Sequence, residues 1–272
     1  MGMSGVVSLI IIAVTSFLSY KGFKSSSFYA SMEFEVEKIL LYRDYKRLIT
    51  SAFVHVNWQH LIFNMLTLLF FGFDLERSFG PVKFLLLYFA SEVGGNLLAL
   101  LIHHKNSSYS SVGSSGAING LIFAAIAVFP GLRIIIIPGW LFGLLFILYS
   151  IYGIRSKKDN IGHESHLGGA LTGMVLAILF HPAALSENTV PIVLMFLPTI
   201  AFMIIIITKP QLLFVDNYWF RHKYNYTVDD RYNAQKKSSQ QEVDRILDKI
   251  NQRGINSLSR RERESLEEYS RK

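Results

Sequence analysis

Seven long apolar runs constrain this chain more than any other feature of its sequence. A helix that crosses a bilayer needs about 20 mostly apolar residues, because the hydrocarbon core is about 30 Å thick and each helical residue advances about 1.5 Å. Runs approaching that length cover 6–20, 48–73, 82–103, 115–129, 134–152, 163–180 and 190–207. In lipid every backbone N–H and C=O must be satisfied inside the chain, so such runs become helices. The expected fold is therefore an all-α polytopic membrane protein. Composition agrees, since only 17% of the 272 residues are charged, against about 25% in a typical soluble domain. The net charge of +7 invites a nucleic-acid reading. Much of it falls at the ends of the runs and in the tail, a pattern common in membrane proteins, so no nucleic-acid partner is expected. With no cysteine, disulfides and thiolate metal sites are excluded. The first run lacks a basic start and a small-residue cleavage site, and reads as an anchor.

Beyond the seventh run the character changes. Residues 209–237 are polar and aromatic without periodicity and read as a linker. Within 238–272, Ser239 with Glu242 and Ser259 with Glu262 form two capping-box patterns, and Val243, Ile246, Leu247 and Ile250 share one helical face. Gly254 is placed to end the first helix. The expectation is a helical hairpin that serves as a docking or regulatory appendage.

Ionisable and strongly polar groups are costly in a membrane, so each one in a span is a candidate for function. The second span holds His60 and Asn64, the fourth opens at Ser115, and the sixth opens with His163 and His166. These three spans are separated by single crossings and run in the same direction, so their polar groups lie in the same half of the membrane. Gly116 and Gly120 are four apart, as are Gly169 and Gly173. Small residues at that spacing let two membrane helices approach closely. The fourth and sixth helices would then bring Ser115 near His166. A serine hydroxyl needs a base within hydrogen-bond reach to act as a nucleophile, and a neutral imidazole can be that base. The Ser115 N–H at a helix start, the Asn64 amide and a His60 nitrogen could serve as oxyanion donors. Taken singly these residues have plainer readings: Ser115 as a helix cap, His60 and Asn64 as interhelical hydrogen-bonding pairs.

The stretches "RLITSAFVHVNWQHLIFNMLTLLFFGFDLERSFG" (47–80), "GSSGA" (113–117) and "GHESHLGGALTG" (162–173) resemble the rhomboid family of intramembrane serine proteases. The resemblance implies a six-helix core (1–181), here with a seventh transmembrane helix (182–208), the linker and the tail hairpin. It also implies a nucleophile at Ser115, a base at His166, and oxyanion-stabilising positions at His60 and Asn64. Glu76 and Gly80 match a structural turn of the family. The implied substrates are transmembrane segments of other proteins, with the lipid bilayer as surroundings, no cofactor and no metal. A bacterial inner (cytoplasmic) membrane is the expected location. One position departs: where the family often has an aromatic beside the catalytic histidine, this chain has Asn119.

Rival readings are weaker on the residues. "HESH" spaces its histidines three apart, whereas a zinc-protease helix needs them four apart. A transporter would need more intramembrane charge than Glu92, whose expected role is pairing or snorkelling. A non-catalytic rhomboid-like protein that binds transmembrane helices is the alternative, although this chain keeps both serine and histidine. His55, His103 and His104 are read as span-end residues, and His163 as water-facing. The loop 153–162 is read as a lid. On orientation two expectations conflict. The resemblance places the active-site mouth outside the cell, whereas Lys and Arg are richer on the mouth side, which the positive-inside rule assigns to the cytoplasm.

Overall fold

The computed structural model describes residues 5–104, 106–156 and 161–208, together with Ile246, Lys249, Ile250, Leu258 and Glu262. The chain divides into two compact units, Met1–Asp216 and Asn217–Lys272.

Helix α1 (Val6–Lys24) shows how a membrane helix is built inside out. Its buried positions are Ser8, Ile11, Thr15, Ser19 and Gly22, a helical stripe of mostly small residues. Its large apolar side chains point outward, with Phe17 66% exposed. That arrangement would be unstable in water and suits a helix solvated by lipid. The segment after it is more ordered than its half-polar sequence suggests. It holds α2 (Ser26–Met32), strand β1 (Phe34–Glu35), α3 (Val36–Leu40) and α4 (Arg47–Thr50), then a 3-10 turn at Ser51–Phe53. Arg47 is buried and organises the segment. Its Nε donates to Asp44 at 2.9 Å, and Nη1 donates to the carbonyls of Ala30 and Glu33 at 2.8 and 2.6 Å.

The second and third apolar runs form α5 (Trp58–His103), one 46-residue hydrogen-bonded element broken at Gly80. Gly80 has φ 78° and ψ 166°, a region closed to residues with a Cβ. Pro81 follows and lacks the N–H that would continue the ladder. The second crossing begins at Trp58, later than position 48, because Arg47–Phe53 is spent on the short α4 and the turn.

Strand β2 (Ser110–Ser111) pairs antiparallel with β1, Phe34 opposite Ser111, and ties the loop after α5 to the segment before it. Helix α6 (Ser115–Val128) is buried at every position from Gly116 to Val128. A helix buried all round is the centre of a bundle. Its 14 residues span only about 21 Å. The fifth apolar run does not begin as a helix at 134. Strands β3 (Arg133–Ile134) and β4 (Ile137–Pro138) form a small hairpin, and α7 starts at Gly139 and runs to Ser156. Four consecutive isoleucines favour extended backbone, and Pro138 cannot donate within a helix. These two short pairings are the exceptions to an all-α reading among the described residues. The chain continues with α8 (His163–Phe180), α9 (Ala184–Glu187) and α10 (Thr189–Thr208). Asn188 donates to the Ala127 carbonyl at 3.0 Å and satisfies the C-terminal end of α6.

By length and composition α1, α5 and α7 can each cross a membrane, α5 with length enough for two passes, and Ser115–Val128 and Thr189–Ile205 are shorter apolar helices. The architecture is that of a multi-pass, mostly helical membrane protein, centred on α5, α6 and α8. In the second unit Lys249 Nζ pairs with both oxygens of Glu262 at 2.9 Å, and Ile246 and Leu258 are buried. The expected linker and most of the expected hairpin lie outside the described residues, as do 157–160 of the expected lid.

Candidate active site

Three helices meet on glycine. A Cβ placed on Gly169 would lie 2.0 Å from the Gly116 carbonyl oxygen, and one on Gly173 would lie 2.2 Å from that of Gly120. Helices α6 and α8 thus approach backbone to backbone. Helix α5 joins them through Gly95, whose Cβ would lie 2.4 Å from the Ser165 carbonyl oxygen. With the axes this close, short side chains at the helix starts can reach one another. Ser115, the first residue of α6, and His166, one turn into α8, do so: His166 Nε2 and Ser115 Oγ are 2.8 Å apart. Both residues are half-buried, so the pair is shielded yet reachable.

The turn that delivers Ser115 is fixed from several sides. Gly113 has φ +112°, donates to the Ser51 carbonyl at 2.9 Å, and packs so closely on the His60 ring that a Cβ would lie 2.5 Å from Cε1. Ser114 occupies the cap position of α6 but makes no side-chain cap bond. Its Oγ and N–H instead face His55 Nε2, each at 3.4 Å. As the first helical residue, Ser115 has an N–H with no partner inside its own helix.

His60 lies in the first turn of α5, where its N–H donates to the Asn57 side chain at 2.8 Å. Asn64 lies one turn further along the same face. Its Nδ2 is buried without a hydrogen-bond partner, an unusual condition for a buried donor. Asn119 does not reach the imidazole. It donates back to the Ser115 carbonyl at 2.8 Å, and the aromatic beside His166 is Phe146 of α7, 6.0 Å between ring centroids.

Three histidines depart from their sequence-based readings. His55 is fully buried, with Nδ1 2.9 Å from Ser19 Oγ and its ring edge-on to His60 at 4.9 Å. Burial, reinforced by His60, holds its pKa well below the ordinary histidine value. His163 is 1% exposed and not water-facing; it stands against Tyr149 and packs where a Cβ on Gly153 would clash. His103 is not idle: its Nε2 is 2.6 Å from Glu164 Oε1, and its ring stacks on Tyr109 at 3.7 Å. The separation of 61 residues between His103 and Glu164 left no local signal of this pairing.

Comparison with known proteins agrees with this architecture. The family model of the Rhomboid domain matches residues 42–183, just over half of the chain. The chain belongs to the rhomboid family. Residues 226–272 match a family of unknown function (DUF6576). Among rhomboid relatives, it is 33% identical over 149 residues to RHOMBOID-like protein 12, mitochondrial, of Arabidopsis thaliana, covering 47% of this chain and 44% of that protein. It is 31% identical over 131 residues to Rhomboid protease GluP of Bacillus subtilis, covering 48% and 25%. It is 30% identical over 151 residues to Rhomboid protein 1, mitochondrial, of Saccharomyces cerevisiae, covering 50% and 43%. The chain thus spans less than half the length of each of these rhomboid relatives.

Proposed function

We propose that this rhomboid protein is an intramembrane serine endopeptidase that hydrolyses peptide bonds within or beside transmembrane segments of other membrane proteins. The observation that carries the proposal is the 2.8 Å separation of Ser115 Oγ and His166 Nε2. His166, neutral, accepts the Ser115 proton as Oγ attacks the scissile carbonyl carbon. The negative charge that develops on the carbonyl oxygen meets the Ser115 N–H, the unpartnered Asn64 Nδ2 and a His60 nitrogen. His166 then returns the proton to the departing amine, which leaves an acyl ester on Ser115. Water, deprotonated by His166 in turn, hydrolyses that ester. Gly116, Gly120, Gly169 and Gly173 act in packing, by holding the two helices at the spacing this transfer needs.

The domain reading goes with it: a six-helix core over 1–181, an added transmembrane helix over 182–208, a linker over 209–237 and a helical hairpin over 238–272. The relatives' names include mitochondrial, chloroplastic and bacterial proteins, so similarity supports a membrane location; the cytoplasmic membrane of a bacterium rests on the sequence reading alone. The decisive experiment is labelling of the purified chain with a fluorophosphonate probe. Wild type should label and Ser115→Ala should not; no labelling and no cleavage of a transmembrane peptide by wild type would leave a non-catalytic helix-binding protein instead.

A further inference from the structure

Glu92 is a carboxyl group in the middle of a membrane helix, 1% exposed, and the proposed chemistry does not use it. Its Oε2 accepts from the Ala117 N–H at 3.0 Å. Ala117 lies two residues beyond Ser115, among the first-turn donors that α6 cannot satisfy itself. Ser114, the residue positioned to cap that helix, makes no cap bond, so the cap comes from α5. The other oxygen, Oε1, accepts from Asn96 Nδ2 at 3.1 Å. Asn96 Nδ2 is also within reach of the Leu48 carbonyl (2.9 Å) and Ser51 Oγ (3.1 Å), and Asn96 Oδ1 accepts from Ser165 Oγ at 3.4 Å. Ser51 holds Gly113 through its carbonyl, and Ser165 directly precedes His166. Gly116 leaves the room for this: a Cβ there would lie 2.8 Å from Ser165 Oγ and 3.1 Å from Glu92 Oε2. The network therefore grips the chain before Ser115, after Ser115 and beside His166.

A carboxyl group in this place costs stability that an apolar side chain would not, since buried ionisable groups in a membrane are expensive. We infer that Glu92 is a positioning residue: it caps the helix that carries Ser115 and, through Asn96, fixes that helix against the segment that carries His166. The inference rests on the reading of Ser115 and His166 as the reacting pair. Leucine at 92 removes both acceptors. Glutamine keeps one carbonyl oxygen for Ala117 but presents an N–H₂ to Asn96, which must then turn and give up its bonds to Leu48 and Ser51.

The test compares wild type, E92Q and E92L as full chains in the same detergent, by fluorophosphonate labelling, cleavage of a transmembrane peptide and thermal unfolding. For E92L we expect kcat to fall on the order of 100-fold with KM within about twofold, the size of effect that misplacement by about 1 Å produces. For E92Q we expect a fall of roughly three- to tenfold, also in kcat. If Glu92 only fills space, E92L should be at least as stable and as active as wild type. Wild-type kcat in either variant, or a loss confined to KM, overturns the inference. Should E92L fail to fold, E92Q decides by the same criterion. Failure of wild type itself to label is a different result, which removes the reacting pair and this inference with it.

Discussion

Gly169 faces the carbonyl oxygen of Gly116 so closely that no side chain fits between them. The neighbour is backbone, which cannot rotate away as a side chain end could, so any substitution must push α6 and α8 apart. We predict that Gly169→Ala lowers stability by about 1–3 kcal/mol, the usual cost of overpacking. It should also lower fluorophosphonate labelling, because the same displacement parts Ser115 from His166. Thermal unfolding together with labelling rates checks both, and a variant that labels at the wild-type rate would contradict the coupling.

Ser115→Ala and His166→Ala should each reduce cleavage of a transmembrane peptide to background while leaving helicity and unfolding temperature close to wild type. Neither side chain fills the core; both are half-buried in the first turns of their helices. Circular dichroism and a cleavage assay on the same samples are sufficient. Turnover by either variant at the wild-type rate counts against the proposed mechanism.

Asn64→Ala removes a buried donor that has no partner to lose. Its stability should therefore hold or rise slightly, whereas kcat should fall by roughly 10²–10³ with little change in KM, as for the loss of an oxyanion donor. A purely structural asparagine would give the opposite pattern, with stability lost and kcat intact.

Gly80→Ala separates conformational strain from crowding. Nothing lies within 4 Å of a Cβ there, but φ is +78° and ψ 166°, a conformation almost confined to glycine, so the cost is backbone strain alone, on the order of 1–3 kcal/mol. The break lies between the two crossings of α5, and cleavage should be unaffected at temperatures where the variant is folded.

His55 makes stability fall with acid. Its pKa is lowered in the folded protein by burial first and by His60 second, so below the ordinary histidine value of about 6.5 the unfolded chain binds a proton that the folded chain resists. The contribution is complete above that pH and is lost as pH falls toward the folded value, at most by about 1.4 kcal/mol per pH unit. His55→Asn should flatten this part of a stability-versus-pH curve; an unchanged slope would assign the acid sensitivity elsewhere.

The sequence made membrane character and family membership legible because both are written locally, in run length and in short motifs such as "GSSGA". Helix starts at Ser115 and His163 were legible for the same reason. The hairpin at 133–138 was not, since an apolar run reads alike whether it is extended or helical. Glu92 remained opaque because its partners, Ala117 and Asn96, become significant only once α5 lies beside α6. Glu164 gave no more warning: its partner His103 belongs to another helix, and only the fold brings the two together. Polar contacts across long sequence separations carry no periodicity to read.

The length of α6 has one further consequence. A rod of about 21 Å in a slab of about 30 Å leaves about 9 Å that it cannot fill. Lipid tails reach poorly into a gap ringed by neighbouring helices, which leaves room there for water from one membrane face. The co-reactant of any hydrolysis would thus be admitted by a deficit of fewer than two turns. A chain lengthened there by that amount would seal its own chemistry in oil.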